Sequence, residues 1–202
     1  MISVIFPAYN EEENVASLHS IIKRAIDDMG EPYEIIAVEN GSTDNTLKEL
    51  KKLSPVKIVV IAKNIGQTAG LDAGFKAAKG DVVVTMDADL QNDPKDIPKL
   101  IKKLREGYDV VSGWRRDRHD NWGRRVLSRS ANWLTWKVTG LYLHDHACAL
   151  KAYRRTVLEG INLYGEMHVF LPAILHMRGA KVAEMEVTHH ARIKGFSKHN
   201  FL

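Results

Sequence analysis

The sequence predicts an α/β fold, a single domain built on a mostly parallel sheet with helices on both faces. Three observations carry this expectation. Short apolar runs alternate with helical stripes of Ile, Leu and Val through Leu104. The connections between them are short. A polar turn follows each of the first four apolar runs, and parallel strands would bring all four turns to one edge, where open α/β sheets bind ligands.

Ile2 to Phe6 reads as the first strand, with Pro7 expected to end it. Ala8-Tyr9-Asn10-Glu11 is then a loop, and Val15, Leu18, Ile21, Ile22 and Ile26 recur at helical spacing. Asn10 is the expected N-cap. Glu11, Glu12 and Glu13 suit the positive end of that helix, and for Glu12 and Glu13 this is the preferred reading. Glu34 to Val38 is a second strand, followed by Glu39-Asn40-Gly41-Ser42-Thr43-Asp44. Thr43 or Asp44 should cap the helix holding Leu47, Leu50 and Leu53. Val56 to Ile61 is a third strand, and Asn64 to Gln67 its turn. Thr68 to Lys79 is a helix rich in Ala and Gly, which permits close packing on a sheet. Val82 to Met86 reads as a buried parallel strand. Ile97, Leu100, Ile101 and Leu104 form the next helical stripe.

The second half is less regular. Asp109 to Gly113 is a short strand, and Trp114 to Trp122 reads as a mobile, arginine-rich loop. Leu127, Ala131, Leu134, Val138 and Leu141 form a stripe. Ala147 to Tyr153 resembles a strand, Phe170, Ile174, Leu175 and Met177 fit a helix, and Val182 to Val187 alternates as a strand does. A basic tail closes the chain.

Composition sets bounds. The 202 residues suffice for one domain with a sizeable core, and 45% hydrophobic with 27% charged residues is ordinary for a globular chain. The net charge of +4 points weakly to anionic partners. Basic residues crowd two places: Arg115 to Arg129, and Arg192 to Lys198. A single cysteine, Cys148, excludes an internal disulfide and a cysteine-rich zinc site. Ile2 to Phe6 is too short an apolar run for a signal peptide, and no run reaches the length of a membrane span. The absence of Gly-x-Gly-x-x-Gly after the first strand argues against a dinucleotide-binding enzyme, and that of Gly-Lys-Ser/Thr against a P-loop.

Chemistry concentrates at Asp87-Ala88-Asp89, directly after the Val82 strand. Two carboxylates two residues apart on a turn can face one hard cation. Their oxygens suit Mg²⁺ or Mn²⁺, with phosphate and water completing the shell. Asp and Asn also gather in turns for local reasons, so the triplet gains weight only from its place. Arg124 and Ser128, four apart, would share a helix face and suit a phosphate. Arg115 follows directly on a strand. The competing reading of these arginines is a solvated surface. His144, His146, His189 and His190 are read as surface or core histidines, not metal ligands.

Taken in order, Pro7-Ala8-Tyr9-Asn10-Glu11, Glu39 to Asp44, Asn64 to Gly66 and Asp87-Ala88-Asp89-Leu90-Gln91 resemble family 2 glycosyltransferases with the GT-A fold. Leu150-Lys151-Ala152-Tyr153-Arg154-Arg155, Gly165-Glu166-Met167-His168 and Arg192 through Lys198 are most similar to the branch containing dolichyl-phosphate mannose synthases and bacterial polyprenyl-phosphate glycosyltransferases. The resemblance spans nearly the whole chain. It departs at Glu39-Asn40, where the family usually has two aspartates.

The resemblance implies an inverting, metal-dependent enzyme that moves a sugar from a nucleotide-diphosphate sugar, GDP-mannose or a UDP-hexose, to a polyprenyl phosphate. Residues 1–113 would be the nucleotide-sugar half, and 114–202 the acceptor half with the tail. Pro7, Ala8 and Tyr9 would line the base pocket. Glu11, Glu39 and Asn40 would meet base or ribose. Asp87, Asp89 and Gln91 would hold Mg²⁺ or Mn²⁺ on the diphosphate, beside Ala88. Asp89, Gln91 and Arg115 are the expected catalytic residues. Arg115, Arg124 and Ser128 would receive the acceptor phosphate, and Arg192 and Lys198 would close over the diphosphate. No nucleic-acid partner is expected. The expected location is the cytoplasmic face of a membrane, held peripherally or by a partner, with Trp133, Trp136 and Lys137 suited to a headgroup layer or to packing. Two alternatives stand beside this: transfer to a saccharide or lipid hydroxyl with Glu166 as base, and a non-catalytic nucleotide-sugar-binding protein.

Overall fold

The computed structural model describes residues 1–116, 132, 133 and 135–191. Seven strands, β1 (Ile2–Ala8), β2 (Tyr33–Asn40), β3 (Lys57–Ile61), β4 (Val82–Thr85), β5 (Val110–Trp114), β6 (Lys151–Arg154) and β7 (Val182–Glu186), form one sheet in the order β3-β2-β1-β4-β6-β5-β7. The pairs β1–β2, β2–β3, β1–β4 and β5–β7 are parallel. β6 runs antiparallel to both β4 and β5. The first four strands are therefore parallel, and their following loops share one edge. The mostly parallel α/β sheet is as the alternation predicts; the reversal of β6 is not visible in any periodicity.

Alternation along β1 splits the core into two layers. Ile2, Val4 and Phe6 face α1 (Val15–Asp27) and α4 (Ile97–Arg105), meeting Leu18, Ile22, Leu100 and Leu104. Ile5, with Ile36, Val38 and Val83, faces the other side, where Leu71 of α3 (Gln67–Ala77) and Leu171 and Leu175 of α6 (Met167–Met177) cover it. Two further helices, α2 (Thr46–Leu50) and α5 (Arg155–Leu158), are short. The small residues of α3 have the expected packing role. A β-carbon at Gly74 would collide with Ile5, and one at Gly70 would crowd Pro7.

Several local expectations are corrected. Pro7 lies inside β1, paired with Val38. Ile5 O accepts from Met86 N, so the N–H that Pro7 lacks falls on the β4 side. Pairing with β4 ends at Ile5 and Thr85, just where that missing N–H would donate next. Asn10 does not cap α1. It has φ +52°, and the helix begins at Val15. Glu12 serves the start of α2 instead: its Oε2 accepts from Asn45 N (3.0 Å) and Nδ2 (2.8 Å). The N-cap of α2 is Asn45, not Thr43 or Asp44; Asp44, one residue earlier, still accepts from Thr46 N through Oδ1 at 2.9 Å. The Ala147 strand shrinks to Lys151–Arg154. On α6 the buried face is Leu171, Pro172, Ala173 and Leu175, while Phe170 and Met177 are exposed. Val138 is exposed and Leu141 buried, so they do not share one apolar stripe; Leu127, Ala131 and Leu134 lie outside the described residues. Most of the arginine-rich loop, from 117, lies outside them too.

Candidate active site

The ligand edge is built from three loops tied to one another. The β1 and β2 loops are joined by backbone–side-chain bonds: Asn10 N donates to Ser42 Oγ (3.1 Å), Thr43 N to Asn10 Oδ1 (2.8 Å), and Glu11 N to Thr46 Oγ1 (2.8 Å). Asn14 Nδ2 donates to Glu11 Oε2 at 2.6 Å. Ala8, at the end of β1, sits directly beside Glu39 in register. Glu39 is buried, and its Oε1 accepts from Ser42 N at 2.5 Å. Asn40, also buried, reaches the next loop: its Nδ2 donates to Gly66 O at 2.9 Å. Both residues thus brace turns at the pocket edge. Pro7 and Tyr9 flank Ala8 on the same strand end and are only partly buried.

Gly66 (φ +92°) lets the chain turn into α3, and the first helical residue, Gln67, donates from Nε2 to Asp87 Oδ1 at 2.6 Å. Asp87 is partly buried and Asp89 buried, so the acidic turn is not the exposed turn that its polarity suggests. Asp89 Oδ1 accepts from Gln91 N at 3.1 Å. Leu90, between them, has φ +61°. Among the described residues, Asn10 and Leu90 are the non-glycine residues in this left-handed region, and both lie on ligand-edge loops, where backbone strain tends to gather. Burial, and then the neighbouring charge of Asp89, push the Asp87 carboxyl up to about 6, while Arg115, Lys151 and the Gln67 bond pull the other way. Two hard oxygen ligands held in like-charge tension suit a divalent cation, which would relieve that repulsion. Among the described residues no cluster of three or more His, Cys, Asp or Glu exists to hold a metal. Water or phosphate oxygens would have to complete a shell at Asp87 and Asp89.

Beside the acidic turn lies a second charge cluster. Arg115, just past β5, is largely buried and grips Asp145 through two bonds, Nε to Oδ2 (2.7 Å) and NH2 to Oδ1 (2.9 Å). Burial opposes the arginine's charge, but the Asp145 bonds outweigh it and hold the guanidinium above its ordinary range. Lys151 of β6 is buried and donates from Nζ to His146 O at 3.0 Å; burial brings its ammonium down to about 8. His146 is buried with both ring nitrogens unpartnered, and burial and then Lys151 lower its pKa.

Of the expected site residues, Asp87, Ala88, Asp89, Gln91 and Arg115 come together, with Ala8, Glu39 and Asn40 on the adjoining strand ends. Arg124, Ser128, Arg192 and Lys198 lie outside the described residues. The segment leading to the tail can be placed: His190 N donates to Gln91 O at 2.8 Å, and His189 bridges to Asn92. His190 Nε2 is 3.2 Å from Asp93 Oδ2. Glu166 sits at the start of α6 with its side chain 79% exposed, 3.8 Å from His168 Nδ1. Sequence reasoning missed Gln67, Asp145 and Lys151. Gln67 lies in a turn already noticed, and Lys151 in a motif quoted for the family resemblance; Asp145 carries no local signal.

An open sheet with paired aspartates at its ligand edge, and one antiparallel strand between β4 and β5, is the architecture of a GT-A glycosyltransferase. The chain belongs to glycosyl transferase family 2, whose family model matches residues 3–161. It is 41% identical to dodecaprenyl-phosphate galacturonate synthase of Rhizobium johnstonii, over 98% of this chain and 61% of that protein. It is 37% identical to undecaprenyl-phosphate 4-deoxy-4-formamido-L-arabinose transferase of Aeromonas hydrophila, over 100% of this chain and 64% of that one. The chain thus spans less than two thirds of the length of these curated relatives. Among solved structures, glucosyl-3-phosphoglycerate synthase from Mycobacterium tuberculosis, in complex with Mn²⁺, uridine-diphosphate and phosphoglyceric acid, superposes with a TM-score of 0.75 at 22% identity, over 95% of this chain and 71% of that one. That likeness is one of fold.

Proposed function

We propose that this domain moves a sugar, with inversion, from a nucleotide-diphosphate sugar to a polyprenyl phosphate. The observation that carries the reading is the meeting of Asp87 and Asp89 with Arg115 at one sheet edge. The two carboxylates suit a cation on the donor diphosphate, and the guanidinium suits the incoming phosphate. The names of the curated relatives, both polyprenyl-phosphate sugar enzymes, support the same acceptor.

Asp87 and Asp89, with Gln91, would hold Mg²⁺ or Mn²⁺. Bound there, the metal supplies positive charge for the departing diphosphate. An acceptor phosphate oxygen forms the new bond to the anomeric carbon from the face opposite the diphosphate. The bond from that carbon to the diphosphate oxygen breaks, and its electron pair leaves with the nucleoside diphosphate. The phosphate is already anionic near neutral pH, so it needs positioning and no general base. Arg115, with Arg124 and Ser128, would position it; Arg192 and Lys198 would close over the diphosphate. Pro7, Ala8, Tyr9 and Glu11 would line the nucleotide's base and ribose, with Glu39 and Asn40 bracing the walls. Residues 1–113 would serve the donor and 114–202 the acceptor.

A membrane-surface location fits the acceptor. No helix among the described residues is long and apolar enough to cross a membrane. Trp133, Trp136 and Tyr142 are exposed, and Lys137 lies over both tryptophan rings, 5.9 Å and 5.1 Å from their centroids. Aromatic rings with a snorkelling lysine suit a headgroup layer, at the cytoplasmic face in this reading.

The test is a panel of UDP- and GDP-sugars with Mn²⁺, offered undecaprenyl phosphate and undecaprenol in parallel. Transfer to the phosphate is expected. Faster transfer to the alcohol would overturn the proposal in favour of a hydroxyl acceptor, and binding without transfer would leave a nucleotide-sugar-binding protein.

A further inference from the structure

Arg115 is oriented by what surrounds it. A guanidinium has five N–H donors in a plane, and a carboxylate that takes one fork leaves another open. Here Asp145 occupies the edge made by Nε and NH2, and its Oδ2 also accepts from Arg115 N at 3.3 Å. Among the described residues, Asp145 is the group that bonds the Arg115 side chain. The edge on the NH1 side is thus left to meet an anion with two parallel N–H donors.

Asp145 is itself fixed from two directions. Glu184 of β7 accepts from Asp145 N (2.9 Å) through Oε1, and from His144 N (3.0 Å) through Oε2, with His144 Nδ1 at 2.7 Å. The Trp114 ring stacks on His144, centroids 4.2 Å apart. From beneath, Lys151 holds the next carbonyl, His146 O. In register, Lys151 stands beside Thr85, at the end of the strand that delivers Asp87. A single braced loop, residues 144–146, thus links the central strands to the arginine. Buried ions are costly unless satisfied, so a buried Arg–Asp–Lys group needs a return on that cost. A rigid aim for one cation is such a return.

We propose that Asp145 is a positioning residue that aims the second edge of Arg115 at the acceptor phosphate, with Glu184 and Lys151 holding Asp145 in place. This rests on the reading of Arg115 as an acceptor-phosphate contact. It assigns Asp145 no proton transfer, since both its oxygens already accept from Arg115.

The test compares Asp145→Asn, Arg115→Ala and the double variant in transfer to undecaprenyl phosphate. Asp145→Asn keeps the side-chain shape but removes the charge and one acceptor. Its kcat/KM for the acceptor should fall about tenfold or more, as misaimed groups do, with nucleotide affinity held within about twofold. The double variant should be no worse than Arg115→Ala, because the aspartate acts through the arginine. Losses that multiply in the double variant would overturn the proposal. So would an Asp145→Asn enzyme with normal acceptor kinetics beside a defective Arg115→Ala, and the phosphate reading would then survive. Arg115→Ala with normal kinetics would end both. Independently of turnover, proton–nitrogen spectra should show a slowly exchanging Arg115 Nε–H that disappears in Asp145→Asn. Its persistence unchanged would also overturn the pairing, whether or not any acceptor is turned over.

Discussion

Gln67 Nε2 donates to Asp87 Oδ1 at 2.6 Å, joining the first turn of α3 to the acidic turn after β4. One carboxylate oxygen is thereby held in place. Gln67→Leu should weaken Mn²⁺ binding roughly tenfold, since a hydrogen bond to a charged group contributes on the order of 1.5 kcal/mol. Calorimetric titration of the metal measures this. An unchanged affinity would mean that the carboxylate is held by other means.

Asp87 carries a pH signature. Its carboxyl sits at about 6 in the folded chain, above the ordinary carboxylate range, because of burial and then Asp89. A raised acid pKa favours the fold at low pH, and that contribution is lost as pH rises from about 4 to about 6. Asp87→Asn should therefore raise the melting temperature of the metal-free protein at about pH 7.5 and change it little at about pH 4. Mn²⁺ should stabilise the wild type and much less so the variant. Wild-type metal affinity should fall as the pH drops below about 6, where the carboxyl keeps its proton.

His146 gives the opposite slope to stability. Its pKa is lowered by burial and by Lys151, so the folded chain resists protonation that the unfolded chain accepts. Its contribution is present above the ordinary histidine value of about 6.5 and is lost as pH falls below it. His146→Leu should reduce the drop in melting temperature between about pH 7.5 and about pH 5.5. An identical drop in both proteins would assign the acid sensitivity elsewhere.

Glu39 is buried and accepts from Ser42 N, so its loss should loosen the β2 turn as well as the proposed nucleotide pocket. Glu39→Ala should raise the donor KM more than it lowers kcat, and it should also lower the melting temperature. Steady-state kinetics beside a thermal melt separate the two effects. A melt unchanged from wild type would show that the turn does not need the carboxylate.

Glu166 distinguishes the acceptors. Its exposed carboxylate would be the base in transfer to a hydroxyl, a step worth about a hundredfold or more in rate. With a phosphate acceptor, Glu166→Gln should keep most of its kcat and show no carboxylate limb in the pH–rate profile. Loss of most of kcat would favour the hydroxyl reading.

The sequence by itself determined the layered α/β frame, the shared ligand edge and the acidic triplet on it. Those features are local. Apolar residues at period two or near four report which face of a strand or helix is buried, and a polar turn reports where a strand ends. Only the tertiary structure decided what the polar residues do. Arg115 and Asp145 are 30 residues apart, and Gln67 and Asp87 are 20 apart. Nothing periodic links either pair. The resemblance implies that Glu39 and Asn40 meet the nucleotide; that their side chains also brace turns appears only once β2 sits between β1 and β3. Lys151 falls in an expected strand, but its burial follows from β6 lying antiparallel between β4 and β5. A hydrogen-bond partner is chosen by proximity in the folded chain and by the cost of leaving a buried charge unpaired, and neither is written in local spacing.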